Sequence, residues 1–165
     1  METTDNYLQI MIDSLIKKGE YLDRLIAKNK AQYECIKGKD YEDINWTAFN
    51  VLVAEKETAI DRVIEIDDAF AEIYEKIKDE VISNKEKYRQ YVLRLQELIT
   101  DLTDKGVTIQ TGEERNRQII DNIFLKTRQE IKKQRTSVNA ASTYYRTMSN
   151  SVVRAAENSI LDEKK

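Results

Sequence analysis

The chain has 165 residues with no proline, no histidine and four glycines, so it has few means of turning sharply and lacks the side chain most used in catalysis and metal binding. Charged residues make up 35% and hydrophobic ones 41%, a balance that suits slim helices with solvated outer faces better than a wide globular core. With 27 basic against 30 acidic side chains, no overall attraction to nucleic acid or anionic lipid is expected.

The opening Met1-Glu2-Thr3-Thr4-Asp5 is polar and acidic and does not read as a secretory signal. No apolar run approaches the roughly 18 residues of a membrane span, so a cytoplasmic protein without membrane insertion is expected. The Asn45-Trp46-Thr47 sequon then carries no chemical meaning.

A first helix is expected over about residues 5–37. Leu8, Leu15, Leu22 and Ile36 share one heptad position, Met11 and Leu25 take the next, and Ile12, Ile26 and Tyr33 flank them. Gly19 and Asn29 interrupt this stripe, and Gly19 is expected to permit a close helix approach. The single cysteine, Cys35, has no internal disulfide partner and is expected to be a buried or half-buried apolar residue. Gly38 is suited to the left-handed residue that ends a helix, and Asp40 stands where an N-cap should, with Asp43 three residues on.

A second helix, about 41–82, carries Ile44, Ala48, Val51, Leu52, Ala59, Val63, Ile66, Phe70, Ile73, Ile77 and Val81 along one stripe. Trp46, Phe49 and Val53 lie roughly 130° from it at about 100° per residue, which offers either contact with a second neighbour or an exposed aromatic patch for a partner. The stripe keeps phase past residue 82, so one unbroken helix is conceivable. The weak helix formers Ser83-Asn84 favour a break there.

A third helix is expected over about 85–137, with Leu95, Leu102, Ile109 and Ile123 repeating in sevens. The stretch Gly106–Gly112 is poor in helix formers, and a kink or fraying is expected there. Ile119, Ile120, Ile123 and Phe124 cover a broader arc than a two-helix seam requires. The basic cluster Lys126, Arg128, Lys132, Lys133 and Arg135 reads as a solvated helix end, with docking to an acidic protein surface as the alternative. Beyond Val138 the composition turns to serine and threonine, yet Tyr145, Met148, Val152, Ala155 and Ile160 keep near-helical spacing. That tail, 139–165, is expected to be loose alone and able to fold into a helix on a partner. Tyr144-Tyr145 are candidate binding anchors in it.

These elements predict an all-α, antiparallel three-helix coiled-coil bundle over 1–138 with a flexible or partly helical C-terminal tail. Catalysis is not expected. Without histidine the usual triads and the Glu-x-x-His di-iron pairs are excluded, the scattered glycines make no phosphate loop, and Asp67-Asp68 lie on a solvated acidic face. No cofactor or metal site is indicated, and no catalytic residue is assigned.

Several short pieces, in order along the chain, carry a resemblance. They are Ile36-Lys37-Gly38-Lys39-Asp40-Tyr41 at the end of the first helix, Glu55-Lys56-Glu57 in the second and Asn116-Arg117 in the last. Tyr144-Tyr145-Arg146-Thr147-Met148 and the closing Ile160-Leu161-Asp162-Glu163-Lys164-Lys165 complete the set. Together they resemble the flagellar type III export chaperones of the FlgN kind, with the FliT-like group less close. The resemblance implies a cytosolic chaperone that holds hook–filament junction (hook-associated) proteins unassembled and delivers them to the flagellar export gate. It implies contact with these partners through Ile119, Ile120, Ile123, Phe124, Tyr144, Tyr145 and Met148; the helical spacing of Trp46, Phe49 and Val53 separately offers a second patch. Gly106, Gly112 and Asp162-Glu163 depart from the family pattern. The rival readings are a structural homodimeric coiled coil and a regulatory adaptor or filament-cap chaperone of the FliT type. The expected state is a monomer or weak homodimer.

Overall fold

The computed structural model describes residues 3–148, and these form three long helices. Helix α1 (Thr4–Ile36) starts where the Thr3 hydroxyl accepts the Asn6 N–H at 3.2 Å, the usual satisfaction of a donor left unpaired in the first turn. It ends as expected at Gly38, the one described residue with positive φ, at 65°.

The next turn departs from the sequence expectation. Asp40 does not cap the second helix; it precedes a single 3₁₀ turn, Tyr41–Asp43, to which its side chain gives no cap bond. Helix α2 (Trp46–Ser83) is capped instead by Asn45, whose Oδ1 accepts the Ala48 N–H at 3.0 Å. The physical reason is the extra half-turn: it carries Ile44 into a buried position, and only then does an Asx side chain stand at the helix mouth.

The break at Ser83-Asn84 is present. Asn84 closes α2 through its own N–H to the Glu80 carbonyl at 3.1 Å and through Nδ2 to the same oxygen at 2.9 Å. Helix α3 (Arg89–Met148) starts four residues later than expected, because Tyr88 turns into the core first and its hydroxyl donates to Glu80 Oε1 at 2.8 Å.

Two further expectations about α3 fail. The Gly106–Gly112 stretch is unbroken helix. Thr108 and Thr111 hydroxyls donate back to the Asp104 and Val107 carbonyls, and Asn29 Nδ2 from α1 donates to the Ile109 carbonyl at 3.2 Å. Tertiary anchoring thus overrides weak propensity. The helix also does not stop at residue 137, since 139–148 are helical in the chain alone. Thr136 and Thr143 hydroxyls bond the Lys132 and Asn139 carbonyls at 3.0 Å each, and Ala140-Ala141 favour helix. The rest of the expected tail, 149–165, lies outside the described residues.

The chain divides into two units, residues 1–120 and 121–165. Within the first, α1 and α2 run antiparallel, as the pairs Lys18–Asp67 and Lys28–Glu55 trace. Within the same unit α3 runs parallel to α1, shown by Gly19 against Leu102, Lys105 on Asp23 and Arg115 over Tyr33. This is the expected all-α bundle of consecutive antiparallel helices. Its core is the predicted α1 stripe, Leu8, Met11, Leu15, Leu22 and Leu25, packed with Ala59, Ile77, Tyr88, Leu95 and Leu102. Gly19 is buried, but a Cβ there would meet Leu102 Cδ2 at an ordinary 3.6 Å, so it is not the position of closest approach. That position is Gly112, where a Cβ would stand 3.3 Å from Asn29 Nδ2.

Candidate partner-binding surfaces

Asn29 occupies the heptad position of Leu8, Leu15, Leu22 and Ile36, and it is 3% exposed. Its carbonyl accepts Asn116 Nδ2 at 2.9 Å, while its Oδ1 has no partner within the chain. A short distance on, Lys56 Nζ donates to the buried Gln32 Oε1 at 2.9 Å and pairs with Glu113. A polar layer therefore crosses all three helices of this unit. Buried polar residues at heptad positions fix register at some cost in stability, which is the role this geometry supports. Lys105, held by Asp23, has its ammonium pKa raised by that hydrogen bond. Glu80 has its carboxyl pKa lowered, first by the Thr4 hydroxyl and then by that of Tyr88.

The expected aromatic patch on early α2 is largely inside. Phe49 is buried, and Trp46 and Val53 are half-buried. The Trp46 ring lies 5.4 Å from that of Tyr41 and 5.5 Å from that of Phe49, and its indole N–H donates to the Tyr41 carbonyl at 3.1 Å. The cluster locks the α1–α2 turn, which favours contact with a neighbouring element over an exposed patch for these three residues. Cys35 is half-buried.

The residues expected to meet a partner on α3 do not form one patch. Ile119 and Ile120 are half-buried at the end of the first unit. In the second unit Ile123 is buried and Phe124 is partly exposed. Tyr144 and Tyr145, ring centroids 5.8 Å apart, are well exposed about 30 Å further along the helix. Met148 is the last described helical residue.

What links Phe124 to Tyr145 was missed by sequence reasoning. Phe124, Ile131, Val138 and Tyr145 recur at seven-residue intervals and are 39%, 46%, 47% and 64% exposed. They form one apolar stripe drifting about 20° per heptad, the pattern of a coiled-coil seam. The spacing was available in the sequence, but the serine- and threonine-rich composition around it suggested a tail rather than a helix. Around the stripe, residues 121–148 carry six basic side chains against two acidic.

Sequence reasoning also missed an apolar groove of about 580 Å³ inside the first unit, between late α2 and early α3. Phe70, Tyr74, Val81 and Ile82 line one wall, Leu93 and Ile99 the other. Of these, Tyr74, Ile82, Leu93 and Ile99 are 46%, 56%, 43% and 48% exposed. Lys85 and Arg89 stand at its end.

Comparison with family models, with curated proteins and with solved structures returns no match. Function must therefore be argued from these surfaces. Among the described residues there is no group of three or more acidic or cysteine side chains placed to hold a metal ion, and no helix long and apolar enough to cross a membrane.

Proposed function

We propose that this protein is a helical export chaperone of the FlgN kind, acting by binding rather than by chemistry. It would cover an amphipathic helix of a hook–filament junction protein in the cytoplasm and hand it to the flagellar export gate. One observation carries the binding half of this reading: the exposed seven-residue stripe Phe124–Ile131–Val138–Tyr145 on the distal part of α3. Such a stripe is the half-seam onto which a second helix packs, and at about 25 cal/mol per Å² its burial supplies the driving force, reduced by ordering costs. The choice of client and gate comes from the resemblance of the quoted motifs.

A second copy of the chain is the competing occupant of the same stripe. The six basic residues against two acidic beside it disfavour self-pairing by like-charge repulsion and favour an acidic partner helix.

The test is a titration of purified hook–filament junction protein with the wild-type chain, with Ile131→Asp and with a chain truncated after Val138. The expected result is a loss of affinity of about tenfold or more for both altered chains, with helix content of residues 1–120 retained by circular dichroism. Unchanged affinity would overturn the proposal, and a tight dimer by sedimentation equilibrium, broken by Ile131→Asp, would establish the homodimer instead.

A further inference from the structure

We infer that the groove between late α2 and early α3 is a second docking site, and that its occupant is a short amphipathic helix of another protein carrying acidic residues at one end. This goes beyond the preceding reading and does not depend on it.

The walls are aliphatic and aromatic over about three helical turns on each side, from Phe70 to Ile82 on α2 and from Arg89 to Ile99 on α3. That length matches a helix of roughly twelve residues laid in a groove through i, i+3, i+4 and i+7 side chains. Val81, half-buried, and Ile82, exposed, form the lip of one wall, and Leu93 and Ile99 form that of the other. None of these four belongs to the fully buried part of the core.

Charge selects the occupant. Lys78, Lys85 and Arg89 line the groove against a single acid, Glu86. Lys78 is paired with Glu75, but among the described residues neither Lys85 nor Arg89 has an ion-pair partner. Arg89 is the first residue of α3, whose first turn holds no acidic residue, and Lys85 lies in the turn that leads into it. A cation such as Arg89 at the positive end of a helix dipole is unfavourable, and a partner carboxylate placed there relieves it while also reaching the nearby Lys85. Glu80, an acid near the end of α2, is already engaged by the Thr4 and Tyr88 hydroxyls. An apolar helix ending in acidic residues satisfies both features of the groove.

The probe is a fluorescein-labelled synthetic peptide of about twelve residues, with leucines at helical spacing and glutamates in its last turn. A matched peptide carries lysines in place of the glutamates. In anisotropy titrations with the full chain, the glutamate peptide is expected to bind about tenfold more tightly than the lysine peptide. Leu93→Asp is expected to abolish binding with the melting profile unchanged, because that side chain is 43% exposed. Lys85→Glu together with Arg89→Glu is expected to reverse the preference between the two peptides, while Ile131→Asp leaves both affinities unchanged. The inference falls if the peptides bind equally, if neither binds, or if Leu93→Asp leaves binding intact. It also falls if Ile131→Asp removes binding, which would place the peptide on distal α3, or if only oleate or anionic phosphatidylglycerol vesicles bind.

Discussion

Along α3 one seven-residue spacing meets two different surroundings. In the first unit Leu95 and Leu102 take core positions and are each 8% exposed, packed with Leu8, Leu15 and Leu22 of α1. In the second unit Phe124, Ile131, Val138 and Tyr145 keep the same spacing and remain 39–64% exposed. A heptad therefore records that a helix is built to pack laterally, and only the tertiary structure tells whether the neighbour lies within the chain. Residue type marks the difference. The buried repeat uses leucine and is locked by the Asn29–Asn116 layer, whereas the exposed one uses mixed aromatic and β-branched side chains amid basic residues.

The sharpest way to break this contrast is to delete the same amount of side chain from each region. Leu22→Ala should cost about 3 kcal/mol in urea unfolding through lost burial and a cavity. Ile131→Ala should cost less than about 0.5 kcal/mol. Equal losses would mean that the distal stripe is part of the folded core.

A smaller effect is expected in the polar layer. Lys56→Met keeps the apolar stem but leaves the buried Gln32 Oε1 without its donor, at a cost of about 1–2 kcal/mol by chemical denaturation. No loss would mean that the layer is solvated and does not fix register.

The two helical glycines of α3 sharpen the comparison further. Gly106→Ala meets nothing within 4 Å and should raise stability by about 0.5–1 kcal/mol. Gly112→Ala pushes against Asn29 at 3.3 Å, and the steric cost should cancel or reverse the same propensity gain of about 1 kcal/mol. Parallel thermal melts read the difference in sign.

The smallest expected effect is on the acid side. The Glu80 carboxyl titrates below its ordinary value because the Thr4 and Tyr88 hydroxyls bond its charged form. A depressed folded-state pKa contributes stability above the unfolded value, which is lost as pH falls through the folded one. Glu80→Gln should therefore lower the melting temperature slightly near pH 7, and the gap to wild type should close as pH falls below the ordinary carboxylate range. A gap that widens on acidification would refute this assignment.

Much of the fold was legible because α1 states its pattern plainly: Leu8, Leu15, Leu22 and Ile36 are all buried as their spacing implies. The break at Ser83-Asn84 was legible for the same local reason, since asparagine closes a helix through its own side chain. What failed depended on partners distant in sequence. Gly112 looked like a point of kinking or fraying, because nothing local shows that Asn29, more than eighty residues earlier, fills the space beside it. Asp40 looked like a cap until burial of Ile44 moved the helix start to Asn45. For Trp46 and Phe49 the spacing left neighbour contact and a surface patch both open, because nothing local reveals that Tyr41 turns back onto Trp46. The groove was illegible for the opposite reason: Ile82 and Leu93 lie off the main stripes, and only the meeting of α2 with α3 makes them a wall.

The fit of Asn29 against Gly112 also has a mechanical consequence. Sliding α3 along α1 by one turn would bring Thr108 or Asn116 opposite Asn29, and sliding by one heptad would bring Lys105 or Ile119. Each carries a side chain where a Cβ alone would already stand about 3.3 Å from Asn29 Nδ2. Axial ratcheting, a common way for helix pairs to relay a signal, is thereby blocked. Under load along the bundle axis, the first unit should resist like a bolted joint and then give way abruptly, rather than creep from one notch to the next.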